Sequence, residues 1–150
     1  MKHSPATILA NLLADHSSPL FTMPDEDSNG AWPVFVSSEP PAPDECATLS
    51  DTPGMNDGRT LDVGLNLFRY GFQLRVRSNT YNAGWEKISD FVLQVSTIHN
   101  EEVTIDSSVY LVDTIVLSTP PFALGIEQGS LQRREIFTIN GFVMIRNTNT

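Results

Sequence analysis

The strictest pattern in this sequence is an alternation of apolar and polar side chains over residues 68–77. The apolar side chains, which take every second position, are Phe68, Tyr70, Phe72, Leu74 and Val76. A β-strand turns successive side chains to opposite faces, so a period of two predicts a strand with one buried face. Arg69, Arg75 and Arg77 would then lie together on the other face.

Two other segments have the spacing of amphipathic helices. Ser4 and Pro5 suit the N-cap and first position of a helix, because the serine oxygen can accept a free amide and proline has none to leave unpaired. The apolar face that follows is Ile8, Leu9, Leu12 and Leu13. A second helix, capped by Asn79 or Thr80, is predicted over roughly 81–98. Its apolar stripe is Tyr81, Trp85, Ile88, Val92 and Val95, with Phe91 and Ile98 beside it.

The remaining apolar runs predict further strands over 32–38, 109–117 and 134–146, with a short strand before a turn at 106–108. The order of elements is typical of an α+β fold. We expect a mostly antiparallel β-sheet of about four to five strands with two α-helices packed on one face. A chain of 150 residues is expected to form a single domain over 1–150.

An acidic segment rich in proline and glycine, residues 39–66, separates two of these strands. Proline interrupts a helix because it lacks the amide hydrogen and crowds the preceding turn, so this segment cannot form a long helix. Loops of this length in a compact domain are usually functional or disordered. The segment is therefore predicted to be a mobile loop, inside which "CATLSD" at 46–51 could form a brief strand. Residues 147–150 are expected to form a short polar tail.

The composition excludes several classes of protein. A net charge of −9 argues against a general nucleic-acid binder, because phosphate contacts require a basic surface. The only cysteine, Cys46, excludes an internal disulfide and a multi-cysteine zinc site. The apolar run near the N-terminus is too short and too interrupted for a membrane span, and it lacks a cleavage signature. We expect no membrane association and synthesis in a cytoplasm.

The sequence shows no pattern of catalytic or metal-binding residues. The histidines, His3, His16 and His99, are far apart, and none has a second ligand at metal-binding spacing. Cys46 and His99 could be combined as the nucleophile and base of a small monomeric enzyme, but nothing local supports that pairing. We therefore predict no catalytic, cofactor-binding or metal-binding residue, and an assembly or binding role.

The predicted arginine face has two interpretations. It can be a solvated sheet face, on which exposed arginines are common. Alternatively it is a docking face for another copy of the chain, since a basic face and an acidic loop on one subunit are self-complementary in a closed ring. The candidate interface residues are Arg69, Arg75 and Arg77 on the strand and Asp44, Glu45 and Asp51 in the acidic segment.

Two stretches resemble a known family. "VFVSSEPPAPDECATLSDTPG" at 34–54 and "YGFQLRVRSNTYNAGWEKISDFV" at 70–92 are similar to segments of the tail-terminator proteins of long-tailed bacteriophages, often called minor capsid proteins. The first match lies at Val34 to Val36, Pro40, Pro43, Asp44, Ala47, Leu49, Asp51, Thr52 and Gly54. The second lies at Gln73, Arg75, Val76, Arg77, Tyr81 and Ala83.

This resemblance implies a structural virion protein without enzymatic activity or a cofactor. Such a protein is expected to form a hexameric ring, to cap the phage tail tube and end its growth, and to provide the surface for head–tail joining. The implied partners are copies of the chain itself, the tail tube protein and the head–tail connector protein. Assembly would take place in the bacterial host cytoplasm.

The acidic segment would face either an interface or the lumen of that ring, through which phage DNA passes without specific binding. The candidate lumen or loop residues are Asp57, Arg59 and Asp62. A head-completion or connector ring protein is the alternative in the same setting. A small monomeric enzyme is the alternative from a different class of protein.

Overall fold

The computed structural model describes residues 1–17, 19–26, 29–62, 64, 66–127 and 133–148. It contains two helices, α1 (Pro5–Asp15) and α2 (Tyr81–Val95). The strands are β1 (Phe21–Thr22), β2 (Trp32–Val36), β3 (Cys46–Arg59), β4 (Asn66–Ser78), β5 (His99–Ile105), β6 (Ser108–Leu117), β7 (Phe122–Ile126) and β8 (Glu135–Asn147).

The strands form one curled sheet in the order β1-β2-β3-β4-β8-β6-β5, with β7 beside β8. β1 runs parallel to β2, and β2 parallel to β3, whereas the other pairs are antiparallel. The predicted sheet of four to five strands is therefore wrong in its number of strands, although five of the seven described strand pairs are antiparallel. The described sheet is mixed and has eight strands, because proline and glycine disguise the strands at 46–59 and 122–126 and β1 is too short to show a period.

The strand β3 occupies the middle of the predicted loop 39–66. Its pairing with β4 shifts register between Thr52 and Met55, so Pro53 lies in an irregularity where the ladder needs no amide. Gly54 lies in this irregularity and Gly71 beside it, opposite Thr52; a Cβ on Gly54 would overlap the Arg69 carbonyl oxygen, and one on Gly71 the Pro53 carbonyl oxygen. The glycines allow the two backbones to approach closely. Glycine usually argues against a strand, but at this position it makes the pairing of β3 with β4 possible. Positions 63 and 65 of the predicted loop lie outside the described residues.

The two ends of the chain partly follow the prediction. α1 begins at Pro5, and the Ser4 hydroxyl accepts the Thr7 amide at 3.2 Å, as its sequence predicts. At the other end, β8 extends to Asn147, the first residue of the predicted polar tail. The Thr148 amide then donates to the Val109 carbonyl oxygen at 3.1 Å. Residues 149–150 lie outside the described part of the chain.

The buried face of α2 differs from the predicted stripe. Gly84, Ile88, Phe91 and Val95 are buried, whereas Tyr81 and Trp85 are about half exposed. The reason is the contact with Phe137 of β8. A Cβ on Gly84 would overlap the Phe137 ring, so glycine lets the helix backbone lie directly on that ring. Tyr81 and Trp85 then pack around the same ring, with centroid distances of 5.2 and 6.1 Å.

Both helices contribute to one apolar core on the inner face of the sheet. The central strands supply side chains that alternate as the period-two pattern predicts: Phe72, Leu74 and Val76 from β4, and Phe137 and Ile139 from β8. Asp51 of β3 accepts the Ala6 amide of α1 at 2.8 Å, which ties the start of that helix to the sheet.

Beyond Gly54 and Gly71, β3 and β4 continue away from the core as a two-stranded ribbon, here called the arm (55–62 and 66–69). Its strands are paired, with Met55 opposite Arg69 and Asn56 opposite Phe68, but no described residue of the arm is buried. The predicted mobility of the acidic segment therefore has a physical basis only in this part, where no core supports the ladder.

We expect hydrogen exchange to divide the β3–β4 pair at the two glycines. In the monomer, amides over 46–52 and 71–77 should exchange about a hundredfold or more slowly than those of the arm, because only the former lie over the core. Amide exchange followed by mass spectrometry on short peptides would measure this. Equal protection from residue 46 to residue 69 would contradict the expectation.

Candidate functional site

The most unusual side chain in the described structure is Arg77, which is only 1% exposed although it lies on the outer face of the sheet. A crossing segment, here called the strap (37–45), covers it. The Arg77 guanidinium donates from Nη2 to the carbonyl oxygens of Pro40 and Pro43, at 2.8 and 2.6 Å, and from Nε to the Asp44 carbonyl oxygen at 3.3 Å. A single arginine thus holds three carbonyl groups of the strap.

Carboxylates surround the same guanidinium. Glu39 of the strap lies 3.4 Å from Nη1 of Arg77 and 3.0 Å from Nε of Arg75. Glu127, just after β7, lies 3.8 Å from Nη1 of Arg77. A buried cation is tolerated only when it is paired and hydrogen-bonded, and both conditions hold here.

A third arginine closes this arrangement from the side. Arg134, just before β8, lies 2.6 Å from Asp44 Oδ1 and 3.2 Å from Glu127 Oε2. It also donates to the Pro41 carbonyl oxygen at 2.8 Å. The resulting arginine cluster comprises three cations and three carboxylates: Arg75, Arg77, Arg134, Glu39, Asp44 and Glu127. Its formal charges cancel, and Arg77 at its centre is buried, whereas the other five side chains are 15–37% exposed.

Sequence reasoning found only part of this cluster. Arg75, Arg77 and Asp44 were candidate interface residues, and the structure brings them together within one chain. The period-two pattern correctly predicted that Arg75 and Arg77 lie on the face opposite the core. It did not indicate that the strap would cover that face. Arg134 and Glu127 were missed because they are distant in sequence from β4, and nothing local links them to it.

The other candidate residues lie elsewhere. Arg69 pairs with Asp57 inside the arm, and Arg59 donates to the Gly64 carbonyl oxygen beside it. Asp62 is exposed at the turn of the arm. Both arginines of the arm, Arg59 and Arg69, therefore have partners within their own chain.

Glu45 lines a surface cleft of about 450 Å³. The cleft lies between β1, β2 and the strap, and its lining includes Thr22, Trp32, Pro33 and Pro43. Lys87 from α2 stands over the Trp32 ring at 5.1 Å from its centroid, and burial lowers the pKa of this lysine. The strap thus forms one wall of the cleft.

Cys46 is not placed to act as a nucleophile. It is fully buried beside Arg77, and burial raises the pKa of its thiol to about 11, although the Arg77 charge acts in the opposite direction. A thiol with such a pKa carries little thiolate at neutral pH. His99 lies on β5, and β4, β8 and β6 separate that strand from β3 in the sheet. The Cys46–His99 pair of the enzyme alternative is not formed.

Within the described residues, no three His, Cys, Asp or Glu side chains are grouped so that they could hold a metal ion. The described helices include none with the length and apolar character needed to cross a membrane. No protein-family model matches the sequence, and a search of curated proteins also gives no match.

Replacing Arg77 tests the role of the arginine cluster. Arg77→Met should lower the free energy of unfolding by about 3–5 kcal/mol, because three carbonyl groups of the strap lose their donor and Glu39 loses one of its two cations. Urea denaturation would measure the change. Arg146→Met is the matched control, since Arg146 pairs with Asp113 near the surface and its removal should change stability little. Similar small effects for both variants would contradict the assigned role.

Asp51 should act as a cap for α1 rather than as an unsupported surface charge. Asp51→Ala should cost about 1 kcal/mol of stability, because the Ala6 amide loses its acceptor at a helix N-terminus. Asp51→Asn should cost less, since an amide oxygen can still accept that hydrogen bond. Thermal unfolding of the two variants would separate the hydrogen bond from the charge. Equal stability of Asp51→Ala and the parent protein would show that Asp51 does not act as a cap for α1.

Proposed function

We propose that this chain is a structural subunit that assembles with copies of itself into a ring. The observation that carries the proposal is the arm, a paired ribbon with no core on either side. A two-stranded ribbon is at best marginally stable in water, so a folded arm requires cover from outside the subunit. The exposed apolar side chains that a neighbour would cover are Met55, Leu61, Leu67 and Phe68.

A second apolar surface supports assembly. Every residue of β7 is exposed, including Phe122, Leu124 and Ile126. In the described sheet β7 pairs only with β8, so its opposite edge offers unpaired backbone groups. A subunit with two unlike apolar surfaces forms head-to-tail contacts, which generate a ring when the rotation closes.

The charge distribution fits passage of DNA through such a ring. Seven of the nine lysine and arginine side chains lie within 4.0 Å of a carboxylate of the same chain. The cations are therefore largely neutralised, whereas the net charge of −9 leaves a surplus of carboxylates. A surface of this sign repels phosphate groups, so DNA could pass without adhering.

Together with the resemblance to tail-terminator proteins, these features favour one specific role. The ring would cap the tail tube of a long-tailed bacteriophage, end its elongation and present a surface to the head–tail connector protein. The protein would then be found in the virion, at the head–tail interface. Its partners would be copies of itself, the tail tube protein and the connector protein, and the expected ring is a hexamer.

Charged substitutions test whether the arm forms the contact between subunits. The parent chain should elute as a species of about 100 kDa, the mass of six 16.6 kDa chains. Leu61→Glu and Phe68→Glu should give folded monomers, because a buried glutamate would oppose the contact. Size-exclusion chromatography with light scattering would measure the masses, and circular dichroism would verify the fold. Leu93→Glu, at an exposed position of α2, should assemble normally. Arm variants that still assemble would exclude the arm as the interface.

The phage phenotype tests the specific role. Electron microscopy of particles made when this gene carries a nonsense mutation should show tails of uncontrolled length beside tailless heads. Tails of normal length that fail to join leaking heads would indicate a head-completion or connector ring instead. Intact infectious virions would reject both roles.

A further inference from the structure

The outer face of the sheet has a buried layer of its own. Cys46, Arg77 and Ile136 are cross-strand neighbours on β3, β4 and β8, and none is more than 3% exposed. Cys46 and Ile136 lie outside the main core cluster, which occupies the opposite face. The strap therefore covers a second, smaller layer that the helices do not reach.

The strap is fastened by side chains rather than by a backbone ladder. Three of its residues, Pro40, Pro41 and Pro43, have no amide hydrogen to donate. Within the described structure, no backbone amide of residues 39–45 donates to a backbone carbonyl. The carbonyl groups of the strap instead accept from Arg77 and Arg134.

The ends of the strap are anchored independently of these contacts. It leaves the sheet after Val36 and returns at Cys46, and β2 and β3 are paired directly through Val34 and Ala47. The strap can therefore lift without breaking any strand pair. Its opening would have to break the contacts made by the arginine cluster and, at Ser37, one backbone hydrogen bond to the Leu49 carbonyl oxygen.

The two main arginine fasteners differ in position. Arg77 projects from beneath the strap and is almost fully buried, so water can replace its contacts only after the strap has moved. Arg134 approaches from the side with 15% of its side chain exposed, and it joins Asp44 and Pro41 of the strap to Glu127. Of the two, Arg134 is the one from which solvent can first release the strap.

We propose that the strap opens as a unit without unfolding the domain, and that Arg134 is the latch that keeps it closed over the Cys46–Ile136 layer. Opening would uncover the Cys46 thiol, the Ile136 side chain and the Arg77 guanidinium. It would also open the surface cleft on the side that Pro43 and Glu45 of the strap now line. The strap is thus a conformational device that controls access to the outer face, and it does not depend on the proposed ring.

The single cysteine provides a direct probe of this opening. Cys46 reacts with 5,5′-dithiobis(2-nitrobenzoic acid) only when it is exposed, so the labelling rate under native conditions reports how often the strap lifts. Arg134→Gln should raise that rate about tenfold relative to the parent protein. Asp44→Asn should also raise the labelling rate, because it weakens the pair with Arg134. Arg146→Gln, which removes an ion pair remote from the strap, is the control and should leave the rate unchanged.

Urea separates strap opening from global unfolding. Labelling through a lifted strap should depend only weakly on urea at low concentration, because little surface is exposed. The free energy of unfolding of each variant should be measured in parallel. The proposal is overturned if labelling follows global unfolding with its full urea dependence, or if the change in global stability accounts for the whole effect of Arg134→Gln. It is equally overturned if Arg134→Gln and Arg146→Gln label at the same rate.

Discussion

The pairing of β4 with β8 is the constraint on which the rest of this structure depends. Nine consecutive residue pairs join the two strands, from Tyr70 opposite Val143 to Ser78 opposite Glu135. Alternate positions of this ladder supply the inward side chains against which the helices pack, and each fully buried large side chain contributes about 1.5–3 kcal/mol. The other edge of β8 accepts both β6 and β7. Removal of this ladder would take away the surface of β4 and β8 on which α2 packs, and it would separate the two halves of the sheet.

The same ladder explains how an acidic protein can accommodate a strand faced with arginine. Strand geometry directs Arg75 and Arg77 away from the apolar core, to a face that would ordinarily meet water. The strap brings carbonyl groups and carboxylates to that face instead, and the charges cancel within one chain. A neutral, partly buried cluster of this kind can contribute little net stability, since desolvation offsets much of the attraction. What it determines is the path of the strap, because few other arrangements satisfy Arg77.

The proposed assembly function rests on the contrast between the two ends of β3 and β4. Over residues 46–49 and 74–77 the strands are covered by the core on one face and, at Cys46 and Arg77, by the strap on the other. Beyond Gly54 and Gly71 the same strands are covered on neither face, yet they carry apolar side chains. Large exposed apolar surfaces on a soluble domain mark sites of interaction. A subunit with this arm and with the exposed edge of β7 is suited to build a larger assembly.

The sequence by itself determined the local features: the strand at 68–77 with its inward apolar face, the helix starts at Ser4 and at Asn79 or Thr80, and the side of the sheet to which Arg75 and Arg77 belong. These follow from period and capping chemistry, which depend on residues close together in the chain. The tertiary structure alone decided the rest: the eight-stranded mixed sheet, β3 in place of a loop, the buried face of α2, and the burial of Arg77. Each of these depends on partners distant in sequence. Pro53 is compatible with a strand only because of where β4 shifts register, Gly84 is buried only because Phe137 lies beneath it, and Arg77 is enclosed only because Glu39, Glu127 and the strap carbonyl groups converge on it.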